Sequence, residues 1–353
     1  YTTGVANPYL LLEPSRTNIV EESEYYNGVY WGLTNASVTN NATTSPEGLQ
    51  NASKLIPANG TGGNRSVSRN YASITGLHTF SVFAKAGEYG YISLRLRNGP
   101  SSFAMFDLTN GLVHATNTNA QMVSGSPKIE DYGNGWYRCS IVLDPSGSAA
   151  PGQLYPSYSA GITGDETNSF NGDGVSGIYI WGSQFEAGSY PTSYIPTYSV
   201  SATRAYDYIK YIDLQSKGII TASQGTFLIE IDNYDFTAVQ LDVQSPNLSY
   251  ALRPTFRKNL VDIFQRVNGV QTTVRQITGL PAGRRIVAMS WNGTSLITSV
   301  NGVSYTDTID GSIAAELFKI DRPNFNGTIF DLNQLLMFST QLTEAELNTL
   351  TTI

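Results

Sequence analysis

Charge is scarce in this chain. Asp, Glu, Lys and Arg make up 14% of its 353 residues, well under the roughly one quarter usual for globular domains. The polar surface therefore has to come from Asn, Ser, Thr, Gly and Tyr. The formal net charge is −7, which argues against nucleic acid as a partner, because that binding rests on phosphate neutralisation by Lys and Arg. The only basic clusters are Arg284-Arg285 and the set Arg253, Arg257 and Lys258. They read as solvated strand faces or loops.

Cysteine occurs once, at Cys139, so no internal disulfide can form and a disulfide-stapled secreted module is excluded. The thiol follows Trp136-Tyr137-Arg138 in an alternating segment and reads as buried and inert. A protein folded in a reducing cytosol and exported by lysis fits this usage. Histidine occurs only as His78 and His114, and no Cys/His spacing suits zinc. There is no G-x-S-x-G elbow and no phosphate loop. No apolar run approaches the roughly 18 residues that a membrane helix needs, so membrane insertion is not expected. No signal peptide is visible, and a chain opening at Tyr1 reads as a fragment or a processed product.

Helical periodicity is nearly absent, and strand-like alternation takes its place. It recurs at 78–84, 91–96, 104–108, 136–143 and 177–185, separated by turn clusters such as Asn98-Gly99-Pro100 and Thr109-Asn110-Gly111. Short strands interrupted at this rate predict a β-sandwich. A second set follows at 226–231, 238–243, 262–267, 285–291, 295–300, 303–308 and 327–338. Asn268-Gly269, Asn292-Gly293 and Asn301-Gly302 are hairpin signals, since Asn and Gly supply the positive φ of a type I′ turn. Near the end, Thr343 and Glu346 form a T-x-x-E capping box with Leu342 and Leu347 as a hydrophobic staple. This predicts one short helix over 344–350.

Two segments, LLLEPSRTN at 10–18 and WGSQFEAGSYPTSYIPT at 181–197, resemble a paired signature of tailed-phage virion proteins. In that family the two lie near the start and end of one carbohydrate-binding-module-like jelly roll, and TRAxD often follows, as Thr203-Arg204-Ala205-Tyr206-Asp207 does here. The segment RIVAMSWNGTSLITSVNGVSY at 285–305 and the closing GTIFDLNQLLMFSTQLTEAELNTL resemble concanavalin-A-like, or laminin-G-like, sandwiches. The resemblances imply an all-β chain of two tandem antiparallel β-sandwiches (jelly rolls) with one short C-terminal helix. Residues 1–206 would form the carbohydrate-module-like jelly roll with an N-terminal extension and a C-terminal connector, and 207–353 the concanavalin-A-like sandwich.

Several groups could carry chemistry. Glu230-Ile231-Asp232 begins the E-x-D-x-E pattern of concanavalin-A-like glycosidases, whose outer carboxylates lie about 5–5.5 Å apart in retaining enzymes. Tyr234 occupies the third position here, and Asp235 falls one residue late, on the other face of a regular strand. The pair is broken, and no catalytic residue is assigned. Glu230 and Asp232 are expected on the solvent side of an outer strand, with Phe227, Ile229 and Ile231 facing the core. Sugar binding uses exposed aromatic faces flanked by Asn, Asp, Gln and Arg; Trp31, Trp136, Trp181 and Trp291 read as core, which leaves Tyr155 and Tyr158, with Asp165 and Asn168, as candidate ligand contacts. Asp165, Glu166 and Asp173 could hold a structural Ca²⁺ in a glycine-rich loop. Among the motif residues Glu13, Arg16, Trp181, Glu186 and Arg204, Glu13 and Arg16 could pair with each other or with Arg204 and Glu186, fastening the start of the jelly roll to its exit strand.

The resemblance implies a phage virion surface protein of the tail-fibre or head-fibre kind. Such a protein is expected to adhere to a host-surface glycan without cleaving it, alongside other virion proteins and as a homotrimer. Two alternatives stay open: a structural decoration or connector protein of the virion, and a polysaccharide depolymerase.

Overall fold

The computed structural model describes residues 10–26, 29–60, 65–96, 102–118, 121–147, 156–161, 172–207, 209–221, 223–232, 239–240, 242–245, 249–311, 317–320 and 330–352. The chain is all-β, with one short α-helix at its C-terminal end. It forms two compact units, one of Arg16–Arg204 and one of Tyr1–Ser15 with Ala205–Ile353. Among the described residues no helix is long and apolar enough to cross a membrane.

The Arg16–Arg204 unit is a pair of antiparallel six-stranded sheets. One runs in the order 112–117, 103–107, 91–96, 156–161, 66–68, 32–34, and the other 128–131, 136–143, 78–85, 178–187, 52–57, 36–43. Alternation decides what each strand buries. Phe80, Val82 and Ala84 enter the inter-sheet core with Cys139, Ile141, Leu143, Ile92, Leu94 and Phe106. Phe83 turns the other way and joins Trp136, Trp181 and Ala52 in a second cluster. The Ile178–Ala187 strand carries one extra residue between Trp181 and Gln184, which pair with Phe83 and Ser81. Gly182 supplies the φ of +63° there, and a Cβ on it would sit 3.0 Å from Phe83. The bulge lets Trp181 and Gln184 share the outer face while Phe185 returns to the core.

In the other unit one sheet has the order 10–12, 330–338, 224–232, 285–292, 295–300, 303–308, and the other 209–212, 317–320, 242–244, 251–257, 260–267, 270–278. Their shared core holds Phe227, Ile229, Ile231, Leu252, Phe256, Val261, Ile263, Val287, Met289 and Trp291. The Glu344–Thr351 helix lies on the outside of the first sheet. Its Leu347 packs with Leu228, Ile286 and Ala288, and the staple partner Leu342 packs beside them. The capping box is formed: Thr343 Oγ1 accepts from the Glu346 amide, and the Glu346 carboxylate accepts from the Thr343 amide at 2.8 Å.

Two details differ from the sequence expectation. The strand Leu10–Leu12 pairs with Phe330–Phe338, not with the Arg16–Arg204 unit, and Leu12 belongs to the core of Phe227 and Trp291. The chain therefore starts one sandwich, makes the whole of the other, and returns. Asp207 marks the return: its amide donates to Glu13 O at 2.9 Å and its carboxylate accepts from the Glu13 amide at 3.0 Å. The second difference is a turn. Asn268-Gly269 and Asn301-Gly302 each place both residues at positive φ, as type I′ requires. At Asn292, however, the residue stays in the strand opposite Ser295, and Gly293-Thr294 make the turn with Gly293 alone of the two at positive φ. That is the position of glycine in a type II′ turn.

Candidate functional site

The two signature segments meet in one buried polar network. Arg16–Asn18 pairs with Ala202–Arg204. Asn18 is fully buried. Its Oδ1 accepts from the amides of Val20 (3.1 Å) and Phe185 (3.0 Å), and its Nδ2 donates to the carbonyls of Ser183 (3.1 Å) and Ile195 (2.9 Å). Gln184 accepts the Ile195 amide at 2.7 Å and donates to Glu186 at 2.5 Å. Glu186 accepts from both the amide and the hydroxyl of Thr192, at 2.8 and 2.7 Å. Arg16 Nε lies 3.9 Å from Glu186, with both side chains buried. Arg138 donates to Thr192 O at 2.6 Å and lies over the Phe83 ring. Segment 188–197 is thus tied back onto the sheet, and Trp181 is buried against Phe83 and Tyr194. Most of this network runs through Asn18, Gln184 and Thr192, which sequence reasoning passed over. Uncharged amides leave no charge pattern to read.

Tyr155, Asp165, Glu166 and Asn168 lie outside the described residues, and of Tyr158 only the backbone is described, in the Pro156–Gly161 strand. Asp173 is committed within its own turn: its carboxylate accepts from the amides of Val175 and Ser176 and from the Ser176 hydroxyl. Those bonds lower its pKa to about 2, the Ser176 hydroxyl contributing most. Among the described residues no group of three or more His, Cys, Asp or Glu is placed to hold a metal ion. Glu230 lies on the third strand of six, not on an outer one. Its carboxylate is mostly covered and accepts from Arg284 Nε at 2.8 Å and Asn333 Nδ2 at 3.0 Å. Tyr234 and Asp235 lie outside the described residues. The four tryptophans are all buried.

A different surface collects the groups that sugar recognition uses. In the Ala251–Arg257 and Leu260–Val267 strands, Leu252, Phe256, Val261 and Ile263 face the core. The alternate residues Ala251, Arg253, Thr255, Arg257, Asp262, Phe264 and Arg266 therefore face outward. Arg253 stands opposite Phe264, Thr255 opposite Asp262, and Ala251 opposite Arg266. Val274 packs on the core as the extra residue of a bulge, so Gln271, Thr273 and Gln276 fall on this outer face as well. Phe264 is a half-buried aromatic outside the core cluster.

The polar groups around Phe264 hold one another. Arg253 grips both carboxylate oxygens of Asp242 through Nε and Nη2, and its Nη1 donates to Gln271 Oε1 at 2.9 Å. Asp262 accepts from Arg257 Nε at 2.9 Å and from Gln276 Nε2 at 2.7 Å. The bidentate geometry fixes the direction of the guanidinium as well as its position. Three buried polar atoms of this face have no partner: Gln244 Oε1, Thr255 Oγ1 and Arg266 Nε. Sequence reasoning noticed Arg253 and Arg257 only as a basic cluster. Register, which alternation alone does not give, sets them beside Phe264.

No protein-family model matches the chain, and no curated protein matches it in sequence. Among solved structures it is similar to a receptor binding domain over 42% of its length, with 9% identity and a TM-score of 0.34, and it spans 40% of that chain. It is similar to sheep galectin-11, solved with glycerol, over 37% of its length and 96% of the galectin, with 8% identity and a TM-score of 0.27. It is also similar to carbohydrate binding module CBM66 from Bacillus subtilis over 33% of its length and 73% of that chain, with 12% identity and a TM-score of 0.23.

Proposed function

We infer that this chain is a virion surface protein that adheres to a host-surface glycan without cleaving it. The observation that carries the glycan reading is Phe264: an aromatic ring on the outer face of a sheet, flanked by Arg253, Arg266, Gln271 and Asp262. A sugar ring offers an apolar face to stack and hydroxyls at its edge, and this arrangement supplies a partner for each. Cross-bracing by Asp242, Arg257 and Gln276 holds the donors and acceptors in place before binding, which lowers the ordering cost. The virion context rests on the sequence resemblance of 10–18 and 181–197, and so does the homotrimer. Three copies would help individually weak sites through avidity.

The absence of cleavage is supported by how the carboxylates are used. Glu230 is tied to Arg284 and Asn333, Glu186 to Thr192 and Arg16, Asp242 to Arg253 and Asp262 to Arg257. A general acid or nucleophile needs a carboxyl group free to meet the glycosidic bond. The test is to incubate the purified oligomer with host surface polysaccharide and to follow both retention and new reducing ends. Retention without new ends supports adhesion. New reducing ends would establish a depolymerase, and neither outcome would leave a structural connector.

A further inference from the structure

We propose that Asn134 is a modification site, converted to aspartate and isoaspartate by spontaneous deamidation. An Asn followed by Gly is the pair most open to this reaction, because glycine has no side chain to hinder attack by its own nitrogen. Base takes the proton from the glycine amide, the nitrogen bonds to the Asn Cγ, and the Cγ–Nδ2 bond breaks to release ammonia. Water then opens the succinimide. Cleavage at Cγ gives aspartate, and cleavage at the main-chain carbonyl carbon gives isoaspartate. Two groups have to be free: the carboxamide, which must turn toward the backbone, and the glycine N–H, which must lose its proton. A hydrogen bond on either one slows the reaction, because it has to be broken first.

Six Asn-Gly pairs have both residues described, and they differ in these two groups. Asn110 donates through Nδ2 to Asp107 Oδ2 at 2.8 Å, and the Gly111 amide donates to Asp107 O at 2.9 Å. The Gly293 amide donates to Ser223 O at 2.8 Å, with Asn292 in its strand opposite Ser295. Gly60, after Asn59, is bridged to Gly172. The closest comparison is among three turns of one shape. Asn268-Gly269, Asn301-Gly302 and Asn134-Gly135 each place both residues at positive φ, and across the last of these the Trp136 amide donates to Gly133 O at 2.9 Å. The Gly269 amide donates to Ser249 O at 3.0 Å, and Asn268 Oδ1 accepts from the Tyr250 hydroxyl at 2.8 Å. The Gly302 amide donates to Thr351 Oγ1 at 3.1 Å, and Asn301 Oδ1 accepts from the Ile286 amide at 2.9 Å. Asn134 and Gly135 are both exposed, and among the described residues neither that carboxamide nor that glycine N–H has a partner. The backbone shape is common to all three turns, so the missing bonds set Asn134 apart.

The product alters a turn that carries an aromatic contact. The Tyr132 amide closes the turn on Trp136 O at 2.9 Å, and the Tyr132 ring stands edge-on to Phe83 at 4.8 Å. Isoaspartate adds a methylene to the backbone of that turn, and either product adds a negative charge.

The test is to hold the intact protein at mildly alkaline pH and to map its peptides by mass over time. At each Asn-Gly pair the map reads the gain of water minus ammonia and the split into aspartyl and isoaspartyl forms. Asn134 is expected to convert first of the six, and about ten-fold or more faster than Asn268 and Asn301, the scale of two hydrogen bonds that need not be broken. In denaturant, where no partner is held, the six rates should draw together. Any of the other five converting as fast as Asn134 in the folded protein would overturn the proposal. An equal lead for Asn134 in denaturant would also overturn it, because the cause would then be the sequence and not the fold. So would an Asn134 that stays intact in the folded protein while the denatured chain converts.

Discussion

Asn18 holds Phe185 by the backbone. The Phe185 amide donates to Asn18 Oδ1 at 3.0 Å, while the same carboxamide donates through Nδ2 to Ser183 O and Ile195 O. One side chain thus satisfies one edge of the strand beyond the Gly182 bulge together with the segment that folds back over it. Asn18→Ala leaves four buried backbone groups without a partner, each costing about 1–3 kcal/mol. A loss of at least about 3 kcal/mol is expected in chemical denaturation. Asn18→Asp should do no better, since it faces two carbonyls with a second acceptor. A loss under 1 kcal/mol in either variant would refute the clamp.

Arg16 and Glu186 form a buried pair at 3.9 Å, inside a ring of donors that all point to Glu186. Removing one partner strands the other's charge, which costs about 3–5 kcal/mol. Arg16→Met is expected to destabilise by that amount while leaving glycan affinity per folded molecule unchanged. A changed affinity at full occupancy of the folded state would move Arg16 from the scaffold to the site.

His78 gives a pH signature. Burial lowers its pKa below the usual 6.5, against the opposing effect of the Gly76 carbonyl on Nδ1. The unfolded chain therefore binds the proton more readily, and stability rises with pH between the lowered value and 6.5. Acidification from pH 7.5 to pH 5.5 should erode wild-type stability by an amount that His78→Gln does not lose. A stability difference between the two proteins that stays constant over this range would contradict the assignment.

The C-terminal helix stands on two separable contacts. Thr343→Ala removes the cap and is expected to cost about 1 kcal/mol. Leu347→Ala empties a contact with Leu228, Ile286 and Ala288 and is expected to cost about 2–5 kcal/mol. Equal effects in thermal unfolding would show that the helix is not docked through Leu347.

Much of the fold was legible because its signals are local. The strand bounds 91–96, 136–143, 295–300 and 303–308 follow from alternation between turns, and Thr343-x-x-Glu346 spells its own helix start. Leu10–Leu12 was misplaced because three leucines say only that a strand is buried, not which sheet receives it. Asn292 was read as a turn residue because Asn-Gly is so strong a pair, whereas the cross-strand match of Asn292 with Ser295 shifts the turn by one residue. Phe264 escaped notice for a related reason. In DIFQRV it reads as one more apolar residue beside Ile263, and only the core position of Ile263 turns it outward.

The central claim, adhesion through the outer face around Phe264, is tested most directly by titrating host surface polysaccharide into the wild-type protein and into Phe264→Ala, with matched unfolding midpoints. Saturable wild-type binding, weakened about ten-fold or more in Phe264→Ala as expected for an aromatic anchor, is the predicted result. Equal affinities in the two proteins, or no wild-type binding at all, would contradict it.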